Sequence, residues 1–328
     1  MEMAIFLWLT LHTRIICNSR KKLDIYADCY VYPRHVIMNR DGKVLSASFM
    51  RNRKHHHGGI KHIGNDLYTL PNSSFTAPVR EINEPIYHAD TDHPEVFGHV
   101  LLEAIPALWA KDLIGERNIK IATSVKMNKS YASMFQALDI KDKDICCLDS
   151  PVKSNKTFVS SKIIQRRKYI DPISTNLFER VKNRLIIESR IFSPERVYIS
   201  RSRVPGRELV NELEVEELFR SKGFAIIHPQ ELSIYDQINI FSSAKLIAGV
   251  GGSAMHNTLF STADAKILIV CSRGWLVVAD SLICQNEGQL GYIFGSPLVD
   301  LKNTHRTQGQ WSVNIEWVKN AIKQHFDL

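Results

Sequence analysis

The sequence predicts an α/β protein of two doubly wound domains facing a cleft. Three observations carry that prediction. The chain has 328 residues, more than one ordinary core holds and enough for two domains of about 150 residues each. Apolar, β-branched runs alternate with helical patterns through the second half over short connections, which is the signature of a parallel sheet. One of those runs, "KILIVC" from Lys266, is continuously apolar, as in a strand covered on both faces. The domains are placed at 1–172 and 173–328, with the boundary near the end of a polar and basic stretch, 150–175.

In the first half, "YVYP" and "KVLSASFM" read as strands, and "GGIKHIGNDLYTLP" is rich in loop residues. "FGHVLLEAIPALWAKDLIG" has the spacing of an amphipathic helix, in which Pro106 forces a kink or a break. "IKIATSV" is strand-like, "KSYASMFQALDI" helical and "DICCLD" strand-like. The second half is more regular. "RVYISR" is a strand, and a helix follows with Leu209, Leu213, Val215, Leu218 and Phe219 at helical spacing and Gly223 as its stop. "FAIIHP" is a second strand, ended by Pro229. "LSIYDQINIFSSA" is a helix with Ser233 as N-cap. "KLIAGV" runs into the turn and short helix of "GGSAMHNTLFSTA", and "KILIVC" follows. "VVADSLICQNEG" reads as a helix and "GYIFG" as a strand. A last helix over about 312–326 is expected to pack back on the first domain.

Composition narrows the class. Hydrophobic residues make up 44% and charged residues 23%, ordinary for a globular protein. The net charge of +8 favours an acidic partner. The basic residues are dispersed, as on a solvated surface, and nucleic acid is not the partner expected. None of the six cysteines forms a CxxC pair, so a reducing compartment is expected, without a disulfide framework or zinc site. The apolar stretch Met3–Leu11 is about half the length of a spanning helix. It lacks the flanks of a signal peptide, and reads as a buried strand or an interfacial segment. "KHHHGG", 54–59, reads as a solvated loop.

Ligands of doubly wound sheets sit beyond the carboxyl ends of the strands, so the residues just after each strand are the candidates. "RSRVPGRELVNE" sets Arg201, Arg203, Arg207, Asn211 and Glu212 there, where guanidinium groups beside a helix N-terminus would suit a pyrophosphate. After the next strand, Glu231 is placed to meet a ribose or base. After the third, "GVGGSAMHN" puts Gly252, Ser253, His256 and Asn257 at the start of a helix, an anion site by its free N–H groups. The turn is neither a Walker A motif nor GxGxxG. In the first half His99 and Glu103, four residues apart, share a helix face and suit an acid–base role. A second histidine at zincin spacing is lacking, so no metal is expected.

Several blocks resemble glycosyltransferase family 61. "FGHVLLEAIPALW" is similar to the family's "HFLLE…PRLW" block. The stretch from "YISRSRVPGRELVNE" to "GVGGSAMHNTLF" resembles its second half in the Y-x-S-R start, the R…NE pair and the glycine-rich turn with Asn257. Many members have histidine where this chain has Gly251; His256 is the candidate substitute. The resemblance implies a GT-B architecture of two Rossmann-like domains, with the donor in the second and the acceptor in the first. It implies an inverting transferase that needs no metal or other cofactor. Glu103 with His99 would then deprotonate the acceptor, with Glu95 and Asp92 as weaker candidates. Arg201, Arg207, Asn211, Glu212, Glu231, Gly252, Ser253, His256 and Asn257 would line the donor site. The expected partners are a nucleotide sugar and a glycan or glycolipid acceptor of capsule or lipopolysaccharide assembly. The expected location is the cytoplasm, with peripheral contact to the inner membrane. Two rivals are a dinucleotide-dependent oxidoreductase, disfavoured by the missing GxGxxG, and a nucleotide- or glycan-binding module without chemistry.

Overall fold

A computed structural model describes residues 21–49, 61–64, 67–69, 78–165, 169–274, 290–298 and 309–328. Met3–Leu11, the histidine run at 55–57 and "VVADSLICQNEG" lie outside the described residues. The chain is α/β and divides into two compact units, the change falling between Val181 and Lys182.

In the first unit the strands are β1 (Leu23–Tyr32), β2 (Val36–Met38), β3 (Val44–Leu45), β4 (Lys61–Gly64), β5 (Leu67–Thr69), β6 (Arg80–Ile82), β7 (Ile86–His88), β8 (Lys120–Thr123), β9 (Ile145–Cys147) and β10 (Val152–Ser160). They form one sheet in the order β4-β5-β3-β2-β1-β10-β7-β8-β9, with β6 also on β10. The run β10-β7-β8-β9 and the pairing of β6 with β10 are parallel; the pairs from β4 to β1, and β1 with β10, are antiparallel. The unit is therefore not the doubly wound parallel domain expected. The tight turn after β1, with Arg34 and His35 both at positive φ, folds β2 straight back on β1, and a strand joined by so short a turn must run antiparallel. "GGIKHIGNDLYTLP", expected as loop, supplies β4 and β5. "KVLSASFM" gives only β3 and a 3-10 turn, Ser46–Ser48.

The stretch 150–175 is polar and basic in sequence. It contains β10, the strand that joins the two halves of the sheet. Its Ser154 and Thr157 are fully buried beside Val152, Phe158 and Val159, so composition hid a core strand. The expected long helix is a run of four short pieces: α1 (Phe97–His99), a π turn (Val100–Ala104), α2 (Ile105–Ala107) and a 3-10 segment (Leu108–Leu113). Pro106, in the first turn of α2, has no N–H to give the preceding turn, and the wider π turn accommodates it. Gly98 through Pro106 are all buried, so the run is a core element and not an amphipathic one. Helix α3 (Lys129–Gln136), capped by Asn128 Oδ1 on the Tyr131 N–H at 2.9 Å, the two-stranded β11 (Ile164–Gln165) and β12 (Tyr169–Ile170), and most of α4 (Ile173–Leu185) complete the unit.

The second unit follows the expected order closely. Strands β13 (Arg196–Ile199), β14 (Ala225–Ile227), β15 (Leu246–Val250), β16 (Lys266–Ser272), β17 (Leu290–Pro297) and β18 (Trp311–Ser312) stand in the order β14-β13-β15-β16-β17-β18, parallel except for β18. Helix α5 (Glu212–Ser221) buries Val215 and Phe219 but leaves Leu213 exposed. Helix α6 (Ile234–Ser243) starts at Ser233, whose Oγ accepts the Asp236 N–H at 3.2 Å. Helix α7 (Ile315–Phe326) is capped by Asn314 on the Glu316 and Trp317 N–H groups. Its Val318, Ala321, Ile322 and Phe326 pack with Tyr198, Phe219, Phe224, Leu268 and Ile293 of its own unit. At Gly249 of β15 an added Cβ would stand 2.7 Å from Ile199 Cβ, so the two strands meet there only because the residue is glycine.

Candidate active site

The first unit gathers an acid–base cluster around the π turn. His99 Nδ1 lies 3.0 Å from Asp92 Oδ1 and 3.1 Å from Glu103 Oε2, and Thr91 Oγ1 donates to the same Glu103 oxygen at 2.5 Å. Thr91, His99 and Glu103 are buried. Burial disfavours the charged ring, but hydrogen bonds and charges from Asp92 and Glu103 outweigh it and push His99 up to about 9. At neutral pH it is an imidazolium held between two carboxylates, and so a hydrogen-bond donor. In that state it cannot accept a proton, which leaves the base role to a carboxylate. Glu95, a weaker candidate, sits outside the cluster: it is exposed and paired with Arg34 at 3.4 Å. Lys162 stands near, and burial pulls its ammonium down to about 8 against the favourable charges of Glu103 and Asp92.

Asp92, His93 and His99 offer ligand atoms within 4.8 Å of one another, a spacing that suits one divalent cation. Asp92 and His99 are hydrogen-bonded to each other there, so a cation would have to displace the proton between them.

The second unit brings together three of the residues expected at the donor. Beyond β13, β15 and the turn that follows, Arg201 and Arg207 converge on Gly252. An added Cβ at Gly252 would be 3.0 Å from Arg201 Nη1 and 3.6 Å from Arg207 Nη2. The two guanidinium groups thus cover bare backbone at the carboxyl end of the sheet. Gly252, Ser253 and Ala254 open the 3-10 helix Ser253–Phe260, where N–H groups lack intrahelical acceptors. The Arg201 side chain donates to Gly206 O at 3.2 Å, and no carboxylate lies within ion-pair distance of it among the described residues. Burial lowers the pKa of Arg201, with the charge of Glu212 opposing.

The remaining expected residues support this arrangement from behind or stand apart. Glu212 is buried and accepts the Arg201 backbone N–H at 2.6 Å. It shares Ser200 with Glu216, and burial raises its carboxyl above the usual range. Asn211 is joined in both directions to Val313, donating to its O at 2.8 Å and accepting its N–H at 3.2 Å. Asn257 Nδ2 donates to Gln237 Oε1 at 3.1 Å, and Gln237 in turn donates to Pro229 O and Leu232 O. Asn257 thereby fixes the loop after β14 to the helix after β15. His256 is buried. Glu231 is exposed and paired with Arg203 at 2.7 Å, away from the Arg201–Arg207 pair. Sequence reading missed Thr91, Lys162, Ser200, Glu216 and Trp311. The run "VSSK" at the end of β10 was the available signal for Lys162, since polar residues at a strand's carboxyl end mark sites.

Comparison with known families gives the class of the chain. The model of the family described as Glycosyltransferase 61 matches residues 97–268, just over half of the chain, a span that contains His99 and Glu103 as well as Arg201, Arg207 and Gly252. The chain belongs to this family and is a glycosyltransferase, with a sugar donor and a glycan acceptor as its substrates. A search of curated proteins found no match. Among the described residues no helix is long and apolar enough to cross a membrane.

Proposed function

We propose that the chain is an inverting, metal-independent glycosyltransferase of a GT-B-like type in which the sheet of the first domain is only partly parallel. It moves a sugar from a nucleotide-sugar donor to a glycan or glycolipid acceptor in capsule or lipopolysaccharide assembly, in the cytoplasm with peripheral contact to the inner membrane. The observation that carries the reading is the Arg201–Arg207 pair over the bare backbone of Gly252. A metal-free transferase must neutralise a departing diphosphate with guanidinium and N–H donors, and this pair lies where such a group would be held. The excess of positive charge, +8, supports contact with anionic or lipid-linked acceptors.

The second unit takes the donor and the first takes the acceptor. Glu103 receives the proton of the acceptor hydroxyl as its oxygen bonds to the sugar's anomeric carbon. The bond from that carbon to the diphosphate oxygen breaks, and the electron pair leaves with the nucleotide. His99, as imidazolium, and Thr91 hold the Glu103 carboxylate in place. Ser253 adds its N–H beside Gly252, and His256 and Asn257 shape the wall behind.

A thermal-shift panel of nucleotides and nucleotide sugars tests the donor class, because a ligand of the native state raises its apparent stability. A rise with uridine or cytidine diphosphate sugars upholds the reading, and a rise with NAD alone would favour the oxidoreductase. Arg201→Ala should weaken nucleoside diphosphate affinity by about tenfold or more, as expected for a lost charged hydrogen bond, and unchanged calorimetric affinity would remove it from the phosphate site. Glu103→Gln should abolish turnover with donor binding intact.

A further inference from the structure

A second group of polar side chains lies directly beneath Glu103. A cavity of about 20 Å³ is lined by His88, Glu103, Lys162 and His35, with Pro106 and Ile163 among its apolar walls. His88, at the end of β7, is 1% exposed, and neither ring nitrogen has a hydrogen-bond partner among the described residues. Burial, with the charge of Lys162, pulls this imidazole down to about 3, so it is neutral and offers one donor and one acceptor. Lys162 also lines this cavity, and its ammonium stands near both Glu103 and Asp92. Buried polar groups left as the His88 nitrogens are stay rare unless a water or ligand completes them.

The volume decides what completes them. A single water needs roughly 10–15 Å³ and two to four polar partners, and the cavity meets both conditions while excluding a sugar or a carboxylate. We propose that Lys162 is a positioning residue for the transfer base: through one water in this cavity, shared with His88, its ammonium holds the Glu103 carboxylate in place. The ammonium donates to the water oxygen. The water donates one hydrogen to Glu103 and the other to the bare nitrogen of His88. Glu103 is then held from two sides, by Thr91 and His99 on one oxygen and by the water on the cavity side. Among the described residues, the groups near it include His99 from its own helical run, Thr91 and Asp92 from the loop before it, Lys162 from the segment after β10, and His88 and His35 in the cavity lining.

This rests on Glu103 being the base, and the test separates the two claims. In Lys162→Met kcat should fall by about tenfold, a loss of about 1.4 kcal/mol, with the donor KM and the melting temperature little changed. In His88→Phe, which keeps the cation and removes the water's other partner, kcat should fall by less. An unmoved kcat in Lys162→Met overturns the proposal. A loss in Lys162→Met with none in His88→Phe overturns the shared water. Retained turnover in Glu103→Gln overturns the base reading itself. Should Lys162→Met fail to fold, a high-resolution crystal structure of the unaltered chain decides: a water within reach of Lys162 Nζ, Glu103 and a His88 nitrogen upholds the proposal, and a dry cavity overturns it.

Discussion

Raising the pH through 9 takes away the proton that His99 shares with Asp92 and Glu103, and the fold loses what that proton contributed. The folded value is about 9 against an ordinary 6.5. At about 1.4 kcal/mol for each pH unit of that gap, the contribution is about 3 kcal/mol. The native state binds the proton more tightly than the unfolded chain. The stabilisation is therefore complete below pH 6.5 and is lost as the pH rises through 9. Lys162 acts in the opposite sense, because its folded value, about 8, lies below the ordinary 10.5. The native state releases that proton first, so Lys162 adds stability between pH 8 and 10.5. Wild type should thus lose stability from pH 6.5 to 8, stay level from 8 to 9 and regain some from 9 to 10.5. Urea unfolding at half-unit intervals from pH 6 to 10 measures this. The difference between wild type and His99→Gln isolates the histidine, and should shrink by about 3 kcal/mol between pH 6.5 and 9. The same difference between wild type and Lys162→Met should grow in favour of wild type above pH 8. A wild-type to His99→Gln difference that stays flat across pH 6.5 to 9 would refute the account of an imidazolium clamped by two carboxylates.

Other consequences are quickly checked. Thr91→Val removes the hydroxyl that donates to Glu103; turnover should fall by about tenfold, a loss of about 1.4 kcal/mol, with the KM for the donor unchanged. Gly252→Ala places a methyl 3.0 Å from the mobile end of Arg201. The melting temperature should change little while diphosphate affinity, by calorimetry, drops several-fold. Gly249→Ala meets Ile199 Cβ at 2.7 Å and the Ile199 carbonyl at 2.8 Å, where backbone must yield, and it should cost about 1–3 kcal/mol in urea unfolding.

The second unit was legible because its rules are local. Each strand there is a continuous apolar run, each helix shows its cap and stop nearby, and parallel strands joined by helices admit few orders. Arg201, Arg207 and Gly252 could be picked out for the same reason, since the carboxyl ends of such strands are where ligands bind. The first unit was harder. Its sheet joins antiparallel and parallel halves through β10, whose Ser154 and Thr157 are core residues, and polarity alone reads such a strand as surface. His99 and Glu103 were visible as a pair at helical spacing. Thr91, Lys162 and His88 reach them from three other elements, and no local pattern predicts that meeting. The donor-side roles expected of Asn211 and Glu231 came from position on a loop, which does not say whether a side chain turns toward a ligand, a neighbouring strand or water.

The loop that carries Arg207 is tied to a distant part of the chain. Trp311 donates its indole N–H to Arg207 O at 3.0 Å and its backbone N–H to Glu208 O at 3.0 Å, Val210 donates to Trp311 O at 2.9 Å, and Asn211 is bound to Val313. Those anchoring residues lie beyond residue 268, where the family match stops. The segment that defines the family is therefore not a minimal functional fragment. Cut out alone, it would keep the arginines and lose the brace that holds one of them in register with Gly252. A chain that keeps these motifs but differs after the fourth parallel strand would need a different brace to hold the same two arginines over the glycine.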